Sequence, residues 1–102
     1  MEKEWIHQRI RKILLDAEGY PERIPDEQIR ELEKILERAG KYEWSPKQLN
    51  NIGVAHLAVW EKTKNKEHYE KGVKLLIKSE TPYAKQNLEI AQAKIKLKGW
   101  II

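Results

Sequence analysis

Ser45-Pro46-Lys47-Gln48-Leu49-Asn50-Asn51-Ile52-Gly53-Val54-Ala55-His56-Leu57-Ala58-Val59-Trp60 reads as a helix with the rest of the chain packed around it. Ser45 can accept a bond from the free amides of a helix start. Pro46 suits the first turn, and Gln48 stands where it closes a capping box. Trp44, just before the cap, is placed to pack on Leu49 as a hydrophobic staple. Leu49, Ile52, Gly53, His56 and Trp60 make one stripe, while Val54 and Leu57 lie off it. A helix that is apolar on several sides is enclosed by its neighbours.

Four further helices supply those neighbours. Ile6, Ile10, Ile13, Leu14 and Ala17 recur at steps of three and four, which predicts a helix over residues 4–18 with Trp5 beside its apolar stripe. Gly19-Tyr20-Pro21 ends it. Pro25-Asp26-Glu27 opens the second helix with acids at its positive end. Ile29, Leu32, Ile35, Leu36 and Ala39 face the core there, and Gly40 is expected to terminate it in the left-handed conformation. After Trp60 a polar connector, residues 62–66, leads to a fourth helix over 66–79. Asn65 is its expected cap, and Tyr69, Val73, Leu76 and Ile77 point inward. Gly72 costs that helix about 1 kcal/mol relative to Ala, which suggests that another helix approaches closely there. Thr81-Pro82 repeats the cap-then-proline signal and starts a fifth helix, expected to reach about Lys98. Gly99 ends it. The expectation is one all-α domain over residues 1–99 and a short apolar tail, Trp100-Ile101-Ile102.

The 102 residues suffice for one core without staples, burying roughly 60 to 70% of the unfolded surface. Without cysteine the chain forms no disulfide and has no thiolate chemistry. No leader is visible and no apolar run approaches the ~20 residues of a membrane span, so a soluble, cytoplasmic protein is expected. Abundant Lys, Glu and Ile are compatible with a thermophilic source. The net charge of +4 is uneven: residues 1–61 carry ten bases and twelve acids, residues 62–102 ten bases and four acids. Every base in the second part is lysine, which favours diffuse attraction to an acidic partner over bidentate base reading.

A shift of 36 residues lays Ser45-Pro46 on Thr81-Pro82, Asn51-Ile52 on Asn87-Leu88 and Val54-Ala55 on Ile90-Ala91. The order long, short, long, short, long describes two helical hairpins and a closing helix. Asn51-Ile52-Gly53 and Tyr69-Glu70-Lys71-Gly72 resemble the tetratricopeptide family, with its apolar-Gly pair in one helix and its aromatic three before a small residue in the next. The resemblance covers roughly residues 45–99. It departs from the family at His56, where an aromatic is usual, at Glu89, which replaces the second glycine, at Pro46, which lies close to Gly53, and in the long connector before Tyr69. It implies either a stacked tetratricopeptide-like array or a compact five-helix bundle. It also implies a protein-binding surface without catalysis, with Asn50, Asn51 and Asn87 in a peptide groove.

Catalytic signals are sparse. The chain has two Ser and two Thr, and Ser45 and Thr81 already serve as caps. No nucleophile elbow, phosphate-binding glycine loop or dinucleotide fingerprint occurs. Glu4-x-x-His7 has the spacing of half a di-iron site, but no second copy exists. His56 and His68 lie on different helices with no acid placed to complete a metal site. No enzyme activity, metal or cofactor is expected, and His56 on the buried stripe reads as a hydrogen-bonded core histidine. Two surfaces remain. Trp100, Ile101 and Ile102 either fold back near Trp5 or dock on another chain, and the second case makes Trp5 and the tail a self-association surface. Lys71, Lys74 and Lys78 on the fourth helix, with Lys85, Lys94, Lys96 and Lys98 on the fifth, are the solvated sides of amphipathic helices or, alternatively, a face for nucleic-acid backbone. The expectation is a small, self-associating, non-enzymatic module that binds a protein partner.

Overall fold

A computed structural model describes residues 1–93 and 99–102. Its elements are α1 (Glu2–Asp16), a 3-10 turn (Pro21–Arg23), α2 (Asp26–Ala39), α3 (Pro46–Thr63), α4 (Lys66–Ser79) and α5 (Pro82–Ala93), and no strand occurs among the described residues. The fold is all-α. The expected end of the fifth helix, residues 94–98, lies outside the described residues.

The central helix is α3. Every residue from Leu49 to Val59 is buried, and α1, α2, α4 and α5 all pack on it. Its start is capped as the sequence predicts. Gln48 N–H donates to Ser45 Oγ at 3.3 Å, and Ser45 N–H donates to Gln48 Oε1 at 3.0 Å. The related start of α5 has Ala84 N–H donating to Thr81 Oγ1 at 3.2 Å. Asn65 caps α4 through its Oδ1, which accepts from Glu67 N–H at 3.0 Å.

The closest helix pair is α3 with α4. A Cβ placed on Gly72 would stand 2.9 Å from Gly53 O, and one on Gly53 would stand 3.1 Å from Gly72 O. The close approach inferred from Gly72 is therefore present, and Gly53 is the other half of it.

Three sequence expectations are corrected. Gly40 is right-handed, with φ −62°, because α2 runs directly into a helical turn. Among the described residues the left-handed ones are Glu18, Gly19, Lys64 and Glu80. Ile77 points outward, 59% exposed. It follows the buried Leu76 by one residue, a rotation of about 100° around the helix. Trp100 is buried at 5% exposure and joins the same core as α1 to α5. The tail is thus part of the domain.

Candidate functional site

The tail is held by polar contacts from three separate elements. Trp100 N–H donates to Gly19 O at 2.7 Å, and its indole Nε1–H donates to Glu61 Oε2 at 2.8 Å. Gly19 has φ +77°, and a Cβ there would collide with the Trp100 carbonyl. The glycine after α1 therefore does two things: it turns the chain and admits the tail backbone. Of the two alternatives left by the sequence, the tail folds back, but onto this turn; Trp5 stays half exposed.

The next residue is read through its backbone. Asn87 Nδ2 donates to Ile101 O at 2.6 Å, and Ile101 N–H donates to Asn87 Oδ1 at 2.7 Å. A single amide meets both backbone groups of one residue, as a neighbouring strand would. Asn87 is fully buried and is itself oriented from behind. Its Nδ2 also donates to Asn50 Oδ1 at 3.0 Å, and Asn50 Nδ2 donates to Asn51 Oδ1 at 3.3 Å. Asn51 Nδ2 lies 3.2 Å from His7 Nε2. An amide nitrogen only donates, so His7 Nε2 accepts and the ring is neutral. Burial, with Arg11 adding to it, holds His7 below the ordinary histidine pKa. From Asn87 the bonds run one way through Asn50 and Asn51 to His7, linking α5 and α3 to α1. The three asparagines assigned to a groove are thus brought together, with their amides engaged by one another, by His7 and by the tail.

Beyond the tail the groove stays open. A cleft of about 1150 Å³ lies between α1, the start of α3 and the start of α5. Asn50, Asn51 and His7 line it, with Leu15, Pro82, Tyr83 and Ile102 as its apolar part and Arg11, Lys12, Lys47 and Asp16 as its charged part.

A second cleft lies between α2, α3 and α4 and is charge-balanced. Lys71, Lys74 and Lys78 share it with Glu33, Glu37, Glu43 and Glu67, and Lys71 pairs with Glu67 at 2.9 Å. The α4 lysines therefore do not form an unbroken cationic face. Lys85 is exposed on α5, and Lys94, Lys96 and Lys98 lie outside the described residues. In this cleft His56 Nδ1 meets His68 Nδ1 at 3.0 Å, and His68 Nε2 lies 3.7 Å from Glu33 Oε2. The core-histidine reading of His56 holds, and its partner is a second histidine that the spacing did not reveal. No group of three or more His, Asp or Glu among the described residues is placed to hold a metal.

All four serine and threonine hydroxyls are engaged in the fold. Ser45 and Thr81 cap helices. Thr63 Oγ1 donates to Val59 O at 2.8 Å, and Ser79 Oγ donates to Pro46 O at 2.5 Å. No described helix is long and apolar enough to cross a membrane. Comparison of the chain with protein-family models, with curated proteins and with solved structures finds no match.

Proposed function

We propose that this protein is a small, non-enzymatic interaction module whose α1/α3/α5 groove receives an extended segment of a partner protein. The observation that carries the reading is the Asn87 amide spanning the N–H and C=O of Ile101. Main-chain bonds of this kind give affinity with little sequence demand, and flanking side-chain pockets add selectivity. The indole slot beside Gly19 and Glu61 is one such pocket. The structural employment of every serine and threonine hydroxyl supports the non-enzymatic part.

The test asks whether the groove takes a peptide that is not tethered to it. Trp100→Ala is expected to lower the thermal midpoint by about 5 °C or more. A synthetic peptide with the sequence of residues 97–102 should restore it in a saturable way. Millimolar peptide is needed, because a short tether supplies an effective concentration of about that order. Asn87→Ala should lower the midpoint as well and should not respond to the peptide. If Trp100→Ala also fails to respond, the groove does not work as a peptide site.

Self-association belongs to the same reading, but its surface moves from Trp100 to α1. Met1, Trp5 and Leu15 are 95%, 50% and 44% exposed and fall within about 80° of one another around the helix axis, on the side away from the buried Ile6, Ile10 and Ile13. Light scattering at high micromolar concentration is expected to give a dimer for the wild type and a monomer for Trp5→Glu. A monomeric wild type would remove this part of the reading and leave the groove untouched.

A further inference from the structure

The open cleft beyond Ile102 is lined by more basic than acidic side chains. Arg11 and Lys47 flank it from α1 and α3, are exposed, and make no ion pair among the described residues. Lys12 pairs with Asp16 at 3.2 Å, and Asp16 is the only acidic side chain among the described lining residues. The described side chains of the cleft therefore carry two more positive charges than negative ones. Between them lie Leu15 and Tyr83, large apolar side chains exposed at 44% and 52%, together with Pro82 and the half-buried Ile102. The second cleft has the opposite character, with four carboxylates set against three lysines.

Resting on the groove reading above, we infer that the partner segment is an acidic peptide carrying aliphatic residues, seated in the cleft formed by Arg11, Lys47, Leu15 and Tyr83. Two observations select this occupant. The positive charges lack partners of their own, and charge complementarity governs which partner is admitted. The cleft also continues the groove in which the chain already holds a peptide, so its neighbouring floor is built of amides that pair with backbone. A nucleic-acid strand would instead require a longer cationic track and a row of stacking faces; here one exposed aromatic ring, Tyr83, stands beside Leu15, Pro82 and Ile102.

The probe is a fluorescein-labelled peptide alternating Glu with Leu, compared with its Gln-for-Glu counterpart and with a single-stranded oligonucleotide of similar length. Each is titrated with the full chain by fluorescence anisotropy. At low salt the acidic peptide is expected to bind at least tenfold more tightly than the Gln peptide, and the preference should shrink at high salt. Arg11→Glu with Lys47→Glu should abolish the preference. Both residues are exposed, so the variant should keep the wild-type circular dichroism. Lys74→Glu with Lys78→Glu, in the second cleft, should leave binding unchanged. Equal binding of the acidic and Gln peptides would overturn the acidic class and leave the groove reading standing. No peptide binding at millimolar concentration would remove both. Tighter binding of the oligonucleotide, lost in the Arg11 and Lys47 variant, would replace the peptide with nucleic acid.

Discussion

Lowering the pH from 7 to 5 is expected to take about 2 kcal/mol from the stability of this protein, most of it through His56. The side chain is 7% exposed, and its pKa is pushed down to about 3, first by burial and then by His68 and Lys71, with Glu67 opposing. In the unfolded chain the ring takes up a proton near pH 6.5. Between 6.5 and 3 the unfolded state therefore binds a proton that the folded state refuses, and stability falls as the pH falls. Above 6.5 this contribution is flat. The full loss, reached near pH 3, is about 5 kcal/mol, comparable to the whole stability of many domains of this size. His7 acts in the same direction, since its pKa is also lowered and its protonation would end the acceptor role toward Asn51. Glu31, held down by its hydrogen bond from Arg9, stabilises above the ordinary carboxylate range and loses that contribution only as the pH falls below it. Urea unfolding at pH 7.5, 6 and 5 isolates the histidines. His56→Gln keeps a polar group for His68 and removes its titration, so its curve should be flatter over that window and keep only the slope that His7 adds. A level wild-type curve, or an equal slope in His56→Gln, would show that His56 is not held neutral by the fold.

The features legible in the sequence were those with a local cause. Caps at Ser45, Asn65 and Thr81, the apolar stripes of α1 and α2, and the enclosed α3 each follow from residues within a few positions of one another. The close approach at Gly72 was readable because glycine inside a helix is a cost that packing must offset. The groove was only half readable. Asn51 and Asn87 fall on equivalent positions of the 36-residue repeat, which put them on the same side of parallel elements. Their joint use on Ile101 depends on where a tail after Gly99 returns, and no periodicity encodes that. The same holds for Trp100, whose slot is made by Gly19 and Glu61, residues 81 and 39 positions away. The His56–His68 pair joins two helices across their connector, and the outward turn of Ile77 depends on how α4 rotates against α3. Cleft charge was hidden as well. Counting lysines along α4 and α5 pointed to a cationic face there, whereas the cleft whose lining is mainly basic takes Arg11, Lys12 and Lys47 from α1 and α3, in the part of the sequence with net negative charge.

Gly72→Ala should destabilise the protein by about 2 to 3 kcal/mol, although the same change in an exposed helix would stabilise it by about 1 kcal/mol. The new Cβ would stand 2.7 Å from Leu57 Cγ and 2.9 Å from Gly53 O. Neither atom can retreat alone: Gly53 O belongs to the α3 backbone, and Leu57 Cγ is one bond from its own Cβ. Accommodation therefore requires α4 to move off α3, which loosens the packing around Leu57 and Leu76, both wholly buried. Gly53→Ala is the milder case. Its Cβ would meet Leu76 Cγ and Cδ2 at 3.0 Å and Gly72 O at 3.1 Å, distances that small shifts relieve, so a loss of about 1 kcal/mol is expected. The two changes share one contact, and once the helices have parted for the first, the second should cost less than it does alone. Gly40→Ala provides the opposite sign. Gly40 is right-handed, and its Cβ would meet nothing closer than Glu37 O at 3.5 Å. Replacing it should stabilise by about 0.5 to 1 kcal/mol through the unfolded chain. Equilibrium denaturation of the three single variants and of Gly53→Ala with Gly72→Ala reads all of this at once. A stabilised Gly72→Ala would mean that α3 and α4 lie farther apart than described here, and the floor that carries Asn50 and Asn51 toward Asn87 would then need a different placement.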